Sequence, residues 1–575
     1  MFLFVFKGPP EHNAAFSALL SRHAAWLGCE KIEHGNYTWL GARDAIQPWF
    51  EAHGSRTCAA LFRPPDADPA SPEGATTDSP VRFILEDDQA RIEVPLATPE
   101  QAYFVEDSRG FVAGNDLRPL WAWTGFELDP IGAAAQMQYG MVPAPYTLAR
   151  EVKRVANGFE LHYRPGAGST QQRRVAPLTE WTRPVSDPAP ETTRQLDRTL
   201  AATPPDAVVF YSGGTDSGLI AARLAAAGRH DIQLVNYAFG EQDADSRNAQ
   251  ATAAGMNLPF HRVLHDDSNL DALFERIGAD AVFPFNDLSV IPTHRMLHAA
   301  REFLPAGATA LLGVGADDLY DGGLKIHSWA RVRRVPRPLR ALIVGMLGAT
   351  RPWWRDDRSR RIWGILRRSL ASDHPYGPPI MHNDLAAIGY PFDGVQQTIE
   401  AAWREIYDPF SDGSSIEDGL ALVYLLNGGM GWEAPKFDLL RRFGVRSRYP
   451  FVDGPMLRHG FSLDWAQKCE GTKDKVLLKR LLRESLPGGY EERPKRGFSP
   501  PFARLLERPE VQSRMRARLL DDDGDLAAYY DKAFIRQALD RGARGVTPNR
   551  GWMNLIWTAF YAASWMSQVR EALRP

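Results

Sequence analysis

Over its first third the chain alternates short apolar runs with turn residues. NYTWLGA, CAALFRPP, VRFILEDD, ARIEVPL, QAYFVED, GFVAGND and FELHYRPG each read as a strand, and few long helical patterns interrupt them. The opening MFLFVFKGPPE fits the same pattern. Its apolar run is too short for the core of a signal peptide and has no basic residues ahead of it, so it reads as a first β-strand. A sheet-rich unit over residues 1–185 is expected. A polar loop lies at residues 64–80, and a Pro/Thr-rich segment, RPVSDPAPETT, reads as a linker.

From about Gln195 the period changes. Helical RQLDRTLAAT leads into strand AVVFY, then a helix from Ser217, strand QLVNYAF, a helix through DSRNAQATAAGM, a helix around HRMLHAAREFL, and strand TALLGVG. Strands alternating with helices predict βαβ units and a doubly wound parallel sheet over residues 195–575. Beyond Gly323 the pattern is mostly helical, which defines an insert at 321–430. Neither Ala341–Leu347 nor the C-terminal LIWTAFYAASWM is a membrane span; the latter suits a buried helix, and no stable membrane insertion is expected.

Composition narrows the class. The chain has 575 residues, 44% of them hydrophobic and 24% charged, with a net charge of −3. That length demands more than one core, and the charge gives no global reason for a nucleic-acid partner. Three cysteines without CxxC spacing argue against disulfides or a zinc site and suit a reducing, cytoplasmic setting.

The strongest local signal is Ser212-Gly213-Gly214-Thr215-Asp216-Ser217, between an apolar strand and an alanine-rich helix. Small residues let backbone N–H groups approach an anion, and the following helix adds its positive end. There is no Lys after the glycines, as a Walker loop requires, and no GxGxxG. A carboxylate beside phosphates repels them unless a cation intervenes, so Asp216 is expected to hold Mg²⁺.

SGGTDS resembles the pyrophosphate loop of the N-type ATP pyrophosphatases, and within them the asparagine synthetase family. Four further blocks follow in the family's order: LLGVGADDLYDGG, RSRYPFVD, the helix DKVLLKRLLRESLP, and ERPKRGFSPPF. Faintly, GFVAGNDLRPLWAW through ANGFEL resembles the end of the family's glutaminase domain. The resemblance implies an α/β protein with two parts. The first is an N-terminal Ntn-hydrolase-like αββα glutaminase-like domain. The second is a doubly wound, adenine nucleotide α-hydrolase-like (PP-loop) synthetase domain with a helical insert.

It also implies ATP and Mg²⁺ as cofactors. Asp216 and Asp317 would hold the metal. Ser212, Gly213, Gly214 and Ser217 would hold pyrophosphate. Tyr211, Phe239 and Gly313 stand at strand ends where the family keeps adenosine. Lys495 would face the reacting phosphate or oxyanion, and Lys475 the departing pyrophosphate.

Three departures redirect the reading. A glutamine-using member opens Met-Cys, and here position 2 is Phe; Cys29 lies well inside the chain. Glutaminase activity is therefore not expected. Val314 stands between the glycines where asparagine-forming members carry Glu and β-lactam-forming members Tyr, and Val moves no proton. Arg446 stands where many relatives have Glu. Family members that combine an inert N-terminal domain with an amine from the substrate itself include β-lactam synthetases, carbapenam synthetases and lasso-peptide cyclases. Val314 counts against the first two, and the large Arg/Trp-bearing insert suits a bulky peptide. Resemblance to the cyclases implies a leader-cleaved precursor core peptide as substrate, with a leader peptidase and a leader-binding protein as partners. The alternative is an asparagine synthetase-like or β-lactam synthetase-like enzyme acting on a small molecule without glutaminase activity.

Other features stay open. Twelve arginines between Arg331 and Arg368, countered by Asp356 and Asp357, read as a solvated helical face or an acid-binding surface. His294 and His298 have a metal-ligand i, i+4 spacing but lack the Glu of HExxH, which favours a helix face or pocket wall. The segment PFND (284–287) reads equally as a pocket wall or a structural turn.

Overall fold

The structure, a computed structural model, describes residues 2–41, 49–53, 56–60, 81–86, 89–181, 185–266, 268–304, 308–320, 332–350, 370, 395–437, 440, 445–470, 473–486, 498, 502–522, 524–546 and 550–575. The first strand, β1 (Phe2–Lys7), shows why its sequence folds as it does. Phe2, Phe4 and Phe6 pack against Phe16, Leu19 and Leu20 of α1 (Pro10–Leu27), while Leu3 and Val5 enter a core with Trp39, Phe83 and Ile92. Alternation at period two has made one strand the floor of two layers.

Two antiparallel six-stranded sheets occupy the first third. Their strands are β2 (Glu30–His34), β3 (Tyr37–Gly41), β4 (Trp49–His53), β5 (Arg56–Ala60), β6 (Arg82–Glu86), β7 (Gln89–Glu93), β8 (Tyr103–Asp107), β9 (Gly110–Gly114), β10 (Lys153–Arg154), β11 (Phe159–Arg164) and β12 (Gly168–Arg173). One sheet runs β10-β8-β9-β1-β3-β2, the other β12-β11-β7-β6-β5-β4. Helices α1, α2 (Leu117–Trp123) and α3 (Pro130–Tyr139) share a core with the first sheet.

Among the described residues, the helix layer of the expected αββα arrangement lies on the first sheet. The other face of the second sheet carries ion pairs: Glu93 takes Arg82, Arg91 and Arg174 at 3.4, 3.2 and 3.3 Å, and Glu160 takes His162 at 2.9 Å.

The expected linker is also corrected. Its second half begins α4 (Pro188–Ala201): Asp187 caps the helix by accepting from Ala189 N, and Pro188 takes the first turn. Proline at N1 has no N–H to lose there.

A parallel sheet then follows in the order β15-β14-β13-β16-β17: β13 (Val208–Phe210), β14 (Gln233–Ala238), β15 (Phe260–Leu264), β16 (Thr309–Leu311) and β17 (Arg446–Arg448). Helices α5 (Thr215–Ala226), α6 (Ala244–Gly255), α7 (Leu270–Asp280) and α8 (Val290–Ala300) connect its first four strands. The sequence winds outward from β13 to β15, then resumes beside β13 at β16. That reversal leaves a crevice at the C-terminal ends of β13 and β16, where doubly wound sheets bind ligands.

The C-terminal helix Arg550–Leu573 is the buried helix expected of it, and ties the parts together. Trp565 stacks on Trp121 at 5.6 Å and donates Nε1–H to Ala281 O at 2.8 Å. Among the described residues no helix is long and apolar enough to cross a membrane.

Candidate active site

The SGGTDS loop leaves the end of β13 directly. Tyr211 continues the strand, donating its N–H to Val235 O at 2.8 Å and accepting from Asn236 Nδ2 at 2.8 Å. The turn then tightens. Gly213 has φ +77° and lies so near α6 that a Cβ there would sit 2.9 Å from the Cβ of Ala249. Ser217 Oγ accepts the Ser212 N–H and meets Ser212 Oγ, both at 3.2 Å, and Gly214 N–H reaches Ser212 Oγ at 3.2 Å. Gly214 stands at the N-cap of α5 and supplies no side-chain cap. A helix start without its own acceptor is suited to an anion.

Asp216 in the first turn of α5 and Asp317 in α9 (Ala316–Tyr320) come from the two strands flanking the crevice. Both carboxylates pair with the ammonium of Lys475, which donates to Asp216 Oδ1 and Oδ2 at 2.7 Å each. The Lys475 side chain is 4% exposed, against 22% for Asp216 and 42% for Asp317. The cation is therefore buried beneath two carboxylates that remain open to the crevice. Burial alone lowers the Lys475 pKa; the charges of Asp216 and Asp317 overcome it and hold the group far above an ordinary lysine.

Backbone geometry enforces this meeting. Lys475 precedes the helix Val476–Ser485 with φ +50°, a left-handed conformation that costs a non-glycine residue energy. Gly313 closes the other side: a Cβ would lie 2.9 Å from Asp216 Cβ and 3.3 Å from Ser217 N. Its identity is thus explained by the close approach of the two strand ends. The donor set fits Mg²⁺, a hard cation that takes one or two carboxylates together with phosphate oxygens.

Phe239, expected on the adenosine side, is 37% exposed at the end of β14. It belongs to an aromatic group that single-residue reading missed. Tyr237, His265 and Phe498 lie 5.5, 5.4 and 6.0 Å from its ring centre. Tyr211, by contrast, is 2% exposed, leaving its backbone to contribute at the site. Lys495 lies outside the described residues. Phe498 itself stands against Tyr237 and Phe239 at the C-terminal end of β14.

The departures find physical places. Val314 is buried in the main core. Gly315, φ +90°, abuts Val452, so the GVG and RYPFVD blocks pack together. Arg446 opens β17, donating its N–H to Ala308 O at 2.9 Å, while Arg448 pairs with Asp453 at 2.7 Å. In the PFND segment, Asp287 meets the buried ammonium of Lys436 at 3.1 Å, and Ser289 Oγ lies 3.0 Å from it. Lys436 follows a π-helix, Tyr424–Glu433, whose Gly429 lets Asp318 approach: a Cβ would stand 2.4 Å from Asp318 Oδ2. The glycine pair Gly428-Gly429 was the available sequence signal for that contact.

The comparisons bear on this site. No curated protein matches the chain. Twenty-two chains of solved structures match. Among them is the glutamine phosphoribosylpyrophosphate amidotransferase of B. subtilis complexed with ADP and GMP, at 10% identity and TM-score 0.19, covering 55% of this chain and 82% of that one. The asparagine synthase family model matches residues 194–567, which contain the SGGTDS loop, both aspartates and Lys475. By that match the chain belongs to the asparagine synthase family and is an ATP-dependent, AMP-forming carbon–nitrogen ligase.

Proposed function

We propose that this ligase is a macrolactam synthetase of the lasso-peptide cyclase kind. It adenylates an Asp or Glu side chain of a leader-cleaved core peptide and closes the ring with that peptide's own N-terminal amine. The observation that carries the activation half is the convergence of Asp216, Asp317 and Lys475 at the crevice between β13 and β16. Residues 1–185 are read as a degenerate glutaminase-like domain and 195–575 as the synthetase domain.

A substrate carboxylate oxygen attacks the α-phosphorus of ATP. The bond from that phosphorus to the bridging oxygen breaks, and pyrophosphate leaves. The uncapped start of α5 and the Ser212 and Ser217 hydroxyls suit the departing phosphates, while Lys475 keeps the two carboxylates from repelling one another. Asp216 and Asp317 would hold Mg²⁺, which would supply positive charge to offset that of the phosphates. The amine nitrogen then attacks the acyl carbon, AMP leaves with the carbon–oxygen electron pair, and the amine gives up its proton. Lys495 is the residue proposed to face the charge that develops in this step.

One feature favours an amine from the substrate: Val314 is apolar, buried in the main core, and supports no proton transfer of the β-lactam kind. The leader peptidase and leader-binding protein remain proposed partners.

The test is direct. With ATP, Mg²⁺ and a core peptide, the protein should release AMP and pyrophosphate and return a peptide lighter by one water. Formation of asparagine, or closure of a small β-amino acid with the peptide untouched, would replace the cyclase reading by a small-molecule one.

A further inference from the structure

The notable side-chain cluster outside the crevice joins the end of α7 to α8. His294 and His298, one turn apart on α8, have ring centres 4.6 Å apart, and His294 Nε2 lies 2.8 Å from Asp280 Oδ2. One potential ligand atom from each of Asp280, His294 and His298 lies within 4.8 Å of the other two. Asp280 and His294 are buried, and His298 is half-buried, which leaves one side of the cluster open for entry.

We infer that Asp280, His294 and His298 form a binding site for one nitrogen-preferring divalent ion, Zn²⁺ or Co²⁺, with water as a fourth ligand.

Two imidazoles and one carboxylate are the donors such ions select, whereas Mg²⁺ prefers oxygen alone. Tetrahedral bonds of about 2.0–2.1 Å put neighbouring ligand atoms roughly 3.3 Å apart. The Asp280–His294 contact therefore opens by a few tenths of an ångström to admit the ion. His294 Nδ1 has no hydrogen-bond partner, so the ring tilts without breaking a second bond.

At the Asp280 contact a neutral His294 ring donates its Nε2 proton, so an ion bound there requires that proton to move to Nδ1 or to leave. The nearby guanidiniums of Arg276 and Arg295 oppose a dication. That opposition is tempered at Arg295, whose guanidinium is engaged by Asp266 at 3.6 Å and by Ser268 O.

The ion would pin α7 to α8 across the segment that carries Asp287, the partner of Lys436. This site lies apart from the Asp216–Asp317 pair and does not depend on which amide the enzyme makes.

The experiment uses the full chain without a histidine tag, stripped by chelator, with excess Mg²⁺ and no ATP. Titration with Co²⁺ should give one ion per chain with the visible absorption of a nitrogen–oxygen site, displaced by Zn²⁺. His298→Ala and Asp280→Asn should each weaken Co²⁺ binding at least tenfold, the size expected when a ligand or its support is lost. His298 is half-buried, so its replacement tests the site at the position least demanding of the fold. Absence of saturable Co²⁺ binding to the wild-type chain overturns the site. So does binding of unchanged strength in a folded His298→Ala protein.

Discussion

Lys475 Nζ donates to both carboxylate oxygens of Asp216, 2.7 Å each, across 259 positions of the chain. The same ammonium pairs with Asp317, so a single buried cation holds the two strand ends of the crevice together. Replacing Lys475 with Met leaves two carboxylates at the crevice without the cation that both now pair with. Pyrophosphate release should fall by roughly 10²–10³-fold, the scale for losing one well-placed electrostatic group. Lys475→Arg should not restore it, because a planar fork does not fit a socket made for a compact ammonium. Activity above a tenth of wild type in either variant contradicts this role.

Gly313→Ala tests the close approach itself. The added methyl meets Asp216 Cβ at 2.9 Å and must displace that carboxylate from the Lys475 ammonium. Overpacking of this kind costs about 1–3 kcal/mol, and turnover should fall with it. Gly345→Ala is the control. Among the described residues nothing lies within 4 Å of its Cβ position in the helix Arg337–Thr350, so urea unfolding should show stability unchanged or raised by up to about 1 kcal/mol.

Much of this site was legible in the sequence because its parts are local. A strand, a glycine turn and a helix start occupy adjacent positions, and the Asp216 carboxylate declares itself by sitting where phosphates are expected. The partnership of Lys475 with both aspartates was not legible. The sequence placed its ammonium on pyrophosphate, and only the fold brings the helix Val476–Ser485 against α5. Asp187-Pro188 shows the opposite failure. Prolines in RPVSDPAPETT suggested a linker, yet Asp at an N-cap followed by Pro is also a helix-start signal. The second sheet's charged face was equally readable in ARIEVPL and FELHYRPG, where Arg91, Glu93, Glu160 and His162 share one strand face.

The aromatic group around Phe239 yields a binding prediction. Phe498 lies 6.0 Å from Phe239 and 5.6 Å from Tyr237, both edge-to-face. Phe498→Ala removes two such contacts, each worth about 0.5–1.5 kcal/mol. If adenosine rests there, KM for ATP should rise roughly 2–10-fold with kcat changed less. Equal loss in kcat with no change in KM would move the adenosine site elsewhere.

Three histidines predict how the fold responds to acid. Burial first, then neighbouring positive charge, lowers His294 to about 3, and burial lowers His298 and His459 to about 4. An ordinary histidine titrates at 6.5. In that window the unfolded chain binds protons that the folded chain excludes, so stability is full above pH 6.5 and falls toward pH 4. Thermal unfolding should show Tm declining across that range, and His459→Gln, which keeps a partner for Thr192, should flatten the slope. A pH-independent Tm would mean these rings are charged in the fold.

Lys468 predicts the opposite flank. Its side chain is fully buried, its Nζ has no hydrogen-bond partner among the described residues, and it lies 4.1 Å over the Trp465 ring. Burial lowers its pKa from 10.5 to about 8, with Asp418 opposing only in part. Below pH 8 both states are protonated and the folded chain carries the whole cost of the buried charge. Between pH 8 and 10.5 the folded chain releases its proton first, so this group's contribution becomes more favourable as pH rises. Lys468→Met keeps the length and removes the charge. At pH 7 it should raise stability by about 1–3 kcal/mol, the range seen when apolar groups replace buried ions. The gain should shrink on approach to pH 10. Destabilisation at pH 7 would instead give the ammonium a stabilising part through Trp465 and Asp418.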